Sequence, residues 1–137
     1  MVSEKTTEEH LTTAISNTIN KLKLNLIDYT AIADNSITPG RYKFYFEIKG
    51  KATKELTKNI EKTLDKELQD CNLAYKRFRG KRGLAMPKVI IVEEGTFNKV
   101  KEFLLKKGIS KNQIKIPRVV TTNKKILDVI ENNKLHY

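Results

Sequence analysis

RYKFYFEIK, residues 41–49, is the clearest strand signal in the chain and decides the fold. Apolar and polar side chains alternate along it with a period of two, which is the period of a β-strand whose two faces differ. One face carries four apolar residues and the other is mostly charged: Tyr42, Phe44, Phe46 and Ile48 against Lys43, Tyr45, Glu47 and Lys49. The aromatic face must therefore lie in the hydrophobic core.

Further strands are predicted on both sides of this stretch. LIDYTAIAD, residues 26–34, is rich in the branched and aromatic residues of strands, and NSITPG, residues 35–40, has the composition of a turn. The strands before and after that turn should pair antiparallel. KVIIV, residues 88–92, is typical of a buried strand, and residues 72–78 are interpreted as a further short strand.

Apolar residues at helical spacing predict four helices around these strands. They follow a capping box at residues 6–9, cover residues 53–71, run from an N-cap at Thr96 to a C′ glycine at Gly108, and begin at Thr122 or Asn123. The order of the elements predicts an α+β fold, a small mostly antiparallel β-sheet with helices packed against it. We expect a single domain, residues 1–137.

The chain is strongly basic, with a net charge of +11 over 137 residues. Such a charge favours anionic partners, which include nucleic acid, phosphate-bearing ligands and acidic membrane surfaces. However, 22 of the 27 basic residues are lysines, and they are interleaved with glutamates through most of the chain. This pattern is typical of a generally basic, solvated surface, so net charge alone defines no binding site.

Composition argues against several kinds of site. The one cysteine, Cys71, excludes an internal disulfide and a cysteine-cluster zinc site, and His10 and His136 lie near opposite ends, so no metal site is predicted. Neither of the two common glycine-rich phosphate-loop motifs occurs. No apolar run approaches the ~18 residues of a membrane span, and the N-terminus lacks a signal-peptide pattern. We therefore expect a cytoplasmic protein without membrane contact.

Two basic segments are candidates for contact with an anion. RGKRG, residues 79–83, is interpreted either as a mobile solvated loop or as an anion-contacting loop that uses Arg79, Lys81 and Arg82. SKNQIKIPRVVTT, residues 110–122, carries Lys115 and Arg118 around an Ile-Pro pair, which favours a stiff extended connector. A lysine on such a connector can neutralise charge that develops on a phosphate. The residues alone favour the plainer interpretation, in which Lys115 is one of 22 lysines and points outward from an edge strand.

Four motifs occur in an order and with a spacing that are found together in one protein family: YTAIAD (29–34), PGRYKFYFE (39–47), EEGTF (93–97) and KGISKNQIKIPR (107–118). With them the chain resembles, from about residue 8 to 131, the C-terminal domain of the auxin-responsive Gretchen Hagen three family. These proteins are acyl-acid amido synthetases of the adenylate-forming superfamily. Two departures stand out: Phe46 occupies a position where tryptophan is frequent, and nothing here matches the family's serine/glycine phosphate loop.

The resemblance implies a function that depends on a second domain. Such enzymes activate a carboxylic acid with ATP and Mg²⁺ as an acyl-adenylate and then transfer the acyl group to the amine of an amino acid. A large N-terminal domain holds the acyl acid and the nucleotide, and the small C-terminal domain closes over it as a lid. The family's lysine in a Q-x-K-x-P-R context reaches the nucleotide phosphates, which assigns that catalytic role to Lys115. Arg118 would support the nucleotide phosphates or brace the domain interface.

This chain alone is thus expected to bind no cofactor and to show no turnover, whether it is cut from a longer enzyme or stands alone. One alternative is a nucleic-acid-binding module in which exposed aromatic residues stack on bases between basic ones, Lys76, Arg77, Arg79, Lys81 and Arg82 interleaved with Tyr75 and Phe78. For this alternative to fail, Tyr75 and Phe78 need only belong to the core. Another is an interaction domain without chemistry. Nucleic acid is the less favoured partner, and the acyl acid and amino acid are not readable from this chain.

Overall fold

The computed structural model describes residues 8–81, 83–106 and 124–134. In chain order its elements are α1 (Glu8–Leu22), β1 (Leu26–Asp34), β2 (Arg41–Ile48), α2 (Lys54–Cys71), α3 (Leu73–Gly80), β3 (Lys88–Val92), α4 (Thr96–Lys106) and α5 (Lys124–Glu131). The α+β class and the strands predicted at residues 26–34, 41–49 and 88–92 are confirmed. The second predicted helix is confirmed as α2, with Thr53 as its N-cap.

Within the described residues, the sheet has three strands in the order β1-β2-β3, so β2 is central. β1 and β2 pair antiparallel across the predicted turn, with Tyr29 opposite Phe46, whereas β2 and β3 pair parallel, with Phe44 opposite Val89. The sheet is therefore mixed. β2 and β3 can pair parallel because α2 and α3 lie between them in the sequence. These helices carry the chain back to the end of the sheet at which β2 begins, before β3 starts.

The residues of β2 that were predicted to face the core do so. Phe44 and Phe46 are fully buried, together with Val89 and Ile91 of β3, against side chains from α1, α2 and α3. The members of this first core that the helices contribute are Leu11, Ala14, Ile15, Ile60, Leu64, Leu68 and Tyr75. Cys71 is half-buried and packs against it.

A second, smaller core lies on the opposite face of the sheet, because successive side chains of a strand point to opposite faces. It contains Tyr45 and Val92 from the sheet, Phe97 and Val100 from α4, and Ile130 from α5. The sheet thus separates two layers of helices, α1 to α3 on one side and α4 with α5 on the other. Its central strand, β2, is covered on both faces.

The prediction of a short strand at residues 72–78 was wrong, because this segment belongs to α3. Asn72 is the physical reason: its side-chain Oδ1 accepts hydrogen bonds from the backbone N–H groups of Ala74 at 3.0 Å and Tyr75 at 3.3 Å. Asparagine is among the best N-cap residues, and this cap starts a new helix directly after α2 ends.

Candidate functional site

The second face of β2, formed by Lys43, Tyr45 and Glu47, is where the two helices that flank residues 107–123 are attached. We call these three residues the outer face of β2. Tyr45 is 1% exposed and Glu47 is 3% exposed, although both carry polar groups. Buried polar groups are stable only when they are hydrogen-bonded, so their partners define what this face holds.

Glu47 binds the start of α4. Its Oε2 accepts a hydrogen bond from the backbone N–H of Gly95 at 2.9 Å, and its Oε1 accepts one from Phe97 at 2.9 Å. The first N–H groups of a helix have no partner within the helix, and the positive end of the helix dipole favours a carboxylate there. Gly95 has φ of +92°, a conformation that side chains strongly disfavour, which explains a glycine at this turn. Thr96, the predicted N-cap, instead donates its hydroxyl to the Glu93 carbonyl at 2.5 Å.

Tyr45 binds the end of α5. Its hydroxyl donates to Glu131 Oε1, and Lys43 Nζ lies 3.3 Å from the same oxygen. Burial and the hydrogen bond to Glu131 raise the pKa of Tyr45 far above its usual range, so this hydroxyl remains a donor at every physiological pH. Burial acts to raise the pKa of Glu131, but the bond from Tyr45 and the charge of Lys43 outweigh it and lower that pKa. Glu131 is therefore a charged acceptor.

Backbone and side-chain contacts just after α5 reinforce this attachment. The Glu93 N–H donates to the carbonyl of Asn133 at 2.9 Å, and Val92 at the end of β3 forms a bridge with Lys134. Lys99 of α4 donates from its Nζ to Asn133 Oδ1 at 2.7 Å. The end of α5 is thereby joined to β2, β3 and α4.

The segment between α4 and α5 contains Lys115 and Arg118. Both residues lie outside the described ranges, so their predicted roles stay predictions. The structure does show that the start of α4 and the end of α5, the two helices that flank the segment in the sequence, are held on the same strand.

The basic loop at residues 79–83 is described except for Arg82. The Arg79 guanidinium forms a two-point ion pair with Asp65, with Nε 2.9 Å from Oδ1 and Nη2 3.1 Å from Oδ2, and its Nη1 donates to the Leu84 carbonyl at 3.1 Å. The hydrogen bond to Asp65 raises the pKa of Arg79. Arg79 thus holds α3 and the following loop against α2, while Lys81 is exposed. Contact of this loop with an anion stays a prediction.

The aromatic residues between these basic ones belong mainly to the core. Tyr75 is 1% exposed and donates its hydroxyl to Asp65 Oδ1 at 2.7 Å, and Phe78 is half-buried against the first core. Stacking on a nucleic-acid base requires an exposed ring face, which Tyr75 lacks. The geometry therefore does not favour the nucleic-acid module considered from the sequence.

Sequence reasoning did not identify Glu47, Tyr45 and Glu131 as a connected group. One signal was available. The helix after the EEGTF turn carries its own apolar side chains, and a second face of the sheet is needed to bury them. Among the described residues there is no group of three or more histidines, cysteines or carboxylates that could hold a metal ion. In the same ranges, no helix has the length and apolar character needed to cross a membrane.

Asp34, the last residue of β1, is a buried carboxylate whose pKa is lowered in the folded protein. Asp34 is 9% exposed; it accepts hydrogen bonds from Ser36 and a charged one from Arg41 Nε at 2.8 Å. Burial acts to raise the pKa of Asp34, but the bonds from Ser36 and Arg41 outweigh it and bring the pKa to about 2, from 3.8. Because this pKa is lowered by folding, Asp34 contributes stability above pH 4 that is lost as the pH falls towards 2.

We expect Asp34→Asn to lower the free energy of unfolding by about 2 kcal/mol at neutral pH and by much less at pH 2. Urea unfolding of both proteins at pH 7, 4 and 2 measures the difference, and the comparison removes the contribution of the other carboxylates. A difference that stays constant over this range would show that Asp34 does not titrate as the geometry implies.

Known proteins are similar to this chain over most of its length. The model of the GH3 family C-terminal domain matches residues 9–124. The chain belongs to the GH3 family. The resemblance noted from the four motifs is thereby confirmed.

Curated GH3 proteins are similar along most of this chain. It is 35% identical to 4-substituted benzoates-glutamate ligase GH3.12 of Arabidopsis thaliana, over 94% of this chain and 24% of that protein. It is 33% identical to indole-3-acetic acid-amido synthetase GH3.17 of Arabidopsis thaliana, over 86% of this chain and 21% of that protein. It is 30% identical to jasmonoyl–L-amino acid synthetase JAR4 of Nicotiana attenuata, over 95% of this chain and 23% of that protein. The GH3 chain thus spans between a fifth and a quarter of these relatives.

Solved structures agree with the family assignment. The AtGH3.15 acyl acid amido synthetase in complex with 2,4-DB superimposes with a TM-score of 0.83 at 26% identity, over 99% of this chain and 25% of that one. A second structure, of GH3.15 acyl acid amido synthetase, superimposes with a TM-score of 0.81 at 27% identity, over 94% of this chain and 24% of that one. The fold of the described residues is therefore that of the corresponding part of a GH3 protein.

Proposed function

We propose that this GH3 chain is the C-terminal lid domain of an ATP-dependent acyl-acid amido synthetase. The observation that carries the proposal is the match of the GH3 C-terminal domain to residues 9–124, a range that includes the QIKIPR motif. The similar relatives are an indole-3-acetic acid-amido synthetase, a 4-substituted benzoates-glutamate ligase and a jasmonoyl–L-amino acid synthetase.

The proposed reaction has two steps. The carboxylate of the acyl acid attacks the α-phosphorus of ATP, forming an acyl-adenylate and releasing pyrophosphate. The neutral amine of an amino acid then attacks the acyl carbonyl, AMP leaves with the electron pair of the broken acyl C–O bond, and the nitrogen gives up a proton to solvent as the amide bond forms. A large N-terminal adenylate-binding domain, in the same polypeptide or in trans, would bind the acyl acid, ATP and Mg²⁺.

This chain would contribute positive charge to the first step. The Lys115 ammonium would stabilise the negative charge that builds on the phosphate oxygens in the transition state, which lowers the barrier only if the ammonium is already in place. Arg118 would support the phosphates or brace the contact with the large domain. The lysine ammonium is a compact charge at the end of a long, flexible side chain, so its position depends on the backbone that carries it.

This assignment predicts that the 137-residue chain alone has no ATP-dependent turnover. Exchange of labelled pyrophosphate into ATP, measured with a panel of carboxylic acids, should be at background for the chain and should appear when the large adenylate-binding domain is present. Exchange by the chain alone, at the rate of the two-domain protein, would contradict the division of labour between the domains.

A further inference from the structure

The outward side of α3 carries a stripe of apolar and basic side chains. Residues three and four positions apart on a helix are neighbours on the same face. By this spacing, α3 and its C-cap residue place five residues in one stripe: Leu73, Ala74, Arg77, Phe78 and Lys81. We call these five residues the α3 surface. Tyr75 and Arg79 lie on the other side of the helix, in the first core and in the ion pair with Asp65.

The α3 surface contains a groove of about 260 Å³, lined by Ala74, Arg77, Phe78 and Lys81. Beside it, Leu73 is 62% exposed, more than any other large apolar side chain in the described part of the chain. Exposed apolar surface that is bordered by polar groups is typical of a contact with another protein surface. The α3 surface therefore has the character of a docking site.

The two basic residues of this surface are not neutralised by the fold. Arg79 is paired with Asp65, whereas Arg77 and Lys81 are exposed and form no ion pair with any residue that the structure describes. Complementary charges on two surfaces select the correct partner and its orientation. A partner that matches the α3 surface must therefore present carboxylates beside an apolar side chain.

The start of α1 lies close to this surface. Cys71, the last residue of α2, has its Sγ 3.6 Å from the carbonyl oxygen of His10 in the first turn of α1, and α3 begins at Leu73. The matched family domain is the C-terminal one, and the chain spans 24% of the GH3.12 relative. In proteins of that length most of the polypeptide precedes this domain, so it would approach from the side on which α3 lies.

A second groove, of about 560 Å³, lies at the opposite end of α1. It is lined by Ile19, Leu24, Asn25, Leu26, Ile27 and Lys49. α1 has 15 residues, so its two ends are about 22 Å apart. This groove offers one charged residue, and it lies away from the start of α1. It therefore serves as an internal comparison for the α3 surface.

We propose that the α3 surface docks the large N-terminal domain, which contributes an apolar side chain flanked by carboxylates. The inference rests on the proposed function, which supplies that domain. Leu73 and Phe78 would cover the apolar side chain, and Arg77 and Lys81 would pair with the carboxylates. Because domains joined in one polypeptide meet at a high effective concentration, a small surface is sufficient to dock them.

Hydrogen exchange of the backbone amides tests this docking. The exchange rates in α3 and in residues 19–27 are measured in the two-domain protein and in the 137-residue chain. We expect α3 to exchange about tenfold more slowly in the two-domain protein, because a docked surface opens less often. Residues 19–27 should exchange at the same rate in both proteins.

Arg77→Glu and Lys49→Glu form a matched pair, since each reverses one exposed charge that lines a groove. Each variant of the two-domain protein is compared with the same variant of the 137-residue chain, because a charge near the end of α3 also affects that helix. The slowing of exchange in α3 should remain about tenfold in Lys49→Glu and fall below about threefold in Arg77→Glu.

Equal exchange of α3 in the wild-type two-domain protein and the 137-residue chain would overturn the docking, as would equal slowing in Arg77→Glu and Lys49→Glu. Slower exchange of α3 in the 137-residue chain at higher concentration, or after addition of an oligonucleotide at physiological ionic strength, would assign the surface to a second copy or to nucleic acid and would also overturn it.

Pyrophosphate exchange into ATP by the same two-domain protein separates this proposal from the proposed function. Normal pyrophosphate exchange without slower hydrogen exchange in α3 overturns the docking and leaves the proposed function in place. Slower hydrogen exchange in α3 that is lost in Arg77→Glu, without any pyrophosphate exchange, overturns the proposed function and leaves the docking in place.

Discussion

Replacement of Glu47 by alanine is expected to lower the free energy of unfolding by about 3 kcal/mol, a large part of the stability of a domain of this size. The substitution removes the carboxylate that accepts hydrogen bonds from the backbone N–H groups of Gly95 and Phe97, each at 2.9 Å. Phe97 is 2% exposed, so water does not readily replace the lost oxygen. An unsatisfied buried donor costs about 1–3 kcal/mol, and the favourable charge at the helix start is lost as well.

The neighbouring Glu93 provides the control for this substitution. Its side chain is exposed, so Glu93→Ala should change the free energy of unfolding by less than about 0.5 kcal/mol. Glu47→Gln should fall between the two, since the amide keeps one acceptor oxygen and presents a donor to the second N–H. Urea unfolding followed by circular dichroism measures all three. Equal midpoints for Glu47→Ala and Glu93→Ala would show that Glu47 does not hold α4.

Much of the fold could be predicted because the signals are local. The alternation from Tyr42 to Ile48 identifies a strand and the face that it buries, and four of those apolar side chains do lie in the first core. The turn at residues 35–40 fixes the antiparallel partner of that strand. Helical spacing of apolar residues likewise predicts α2 to within a residue of its observed start.

The features that escaped prediction depend on contacts between distant residues. Glu47 and Phe97 are 50 positions apart in the sequence, and Tyr45 and Glu131 are 86 positions apart. No local pattern predicts either contact. The parallel pairing of β3 depends on where α2 and α3 return the chain, which periodicity does not reveal. The start of α3 was missed for a different reason: the cap at Asn72 lies directly after α2, where a break in the pattern also suits a strand.

The same distinction applies to the candidate site. Lys115 was singled out from a local motif, QIKIPR, together with three other motifs in a family order. The residues that hold the flanking helices became visible only once the sheet brought β2, α4 and α5 together. The basic loop shows the converse. Arg79 is of the residue type expected to bind an anion, but its guanidinium forms an ion pair with Asp65 of the same chain.

Lys115→Ala is expected to lower the rate of adenylate formation by about 10²-fold in a protein that also contains the large adenylate-binding domain. Removal of one preorganised donor of positive charge from a transition state typically has an effect of about this size. The loss should appear in kcat, because the charge on the phosphates grows as the reaction proceeds. The melting temperature should not change, which separates loss of chemistry from loss of structure.

Lys111 provides the matched control, since it lies four positions before Lys115 in the sequence and carries the same charge. The most direct test is therefore the pyrophosphate-exchange rate of Lys115→Ala beside that of Lys111→Ala, with ATP saturating. If the chain is a lid domain that acts through Lys115, we expect a loss of about 10²-fold for Lys115→Ala and a rate within about twofold of wild type for Lys111→Ala. Equal rates for the two variants would contradict it.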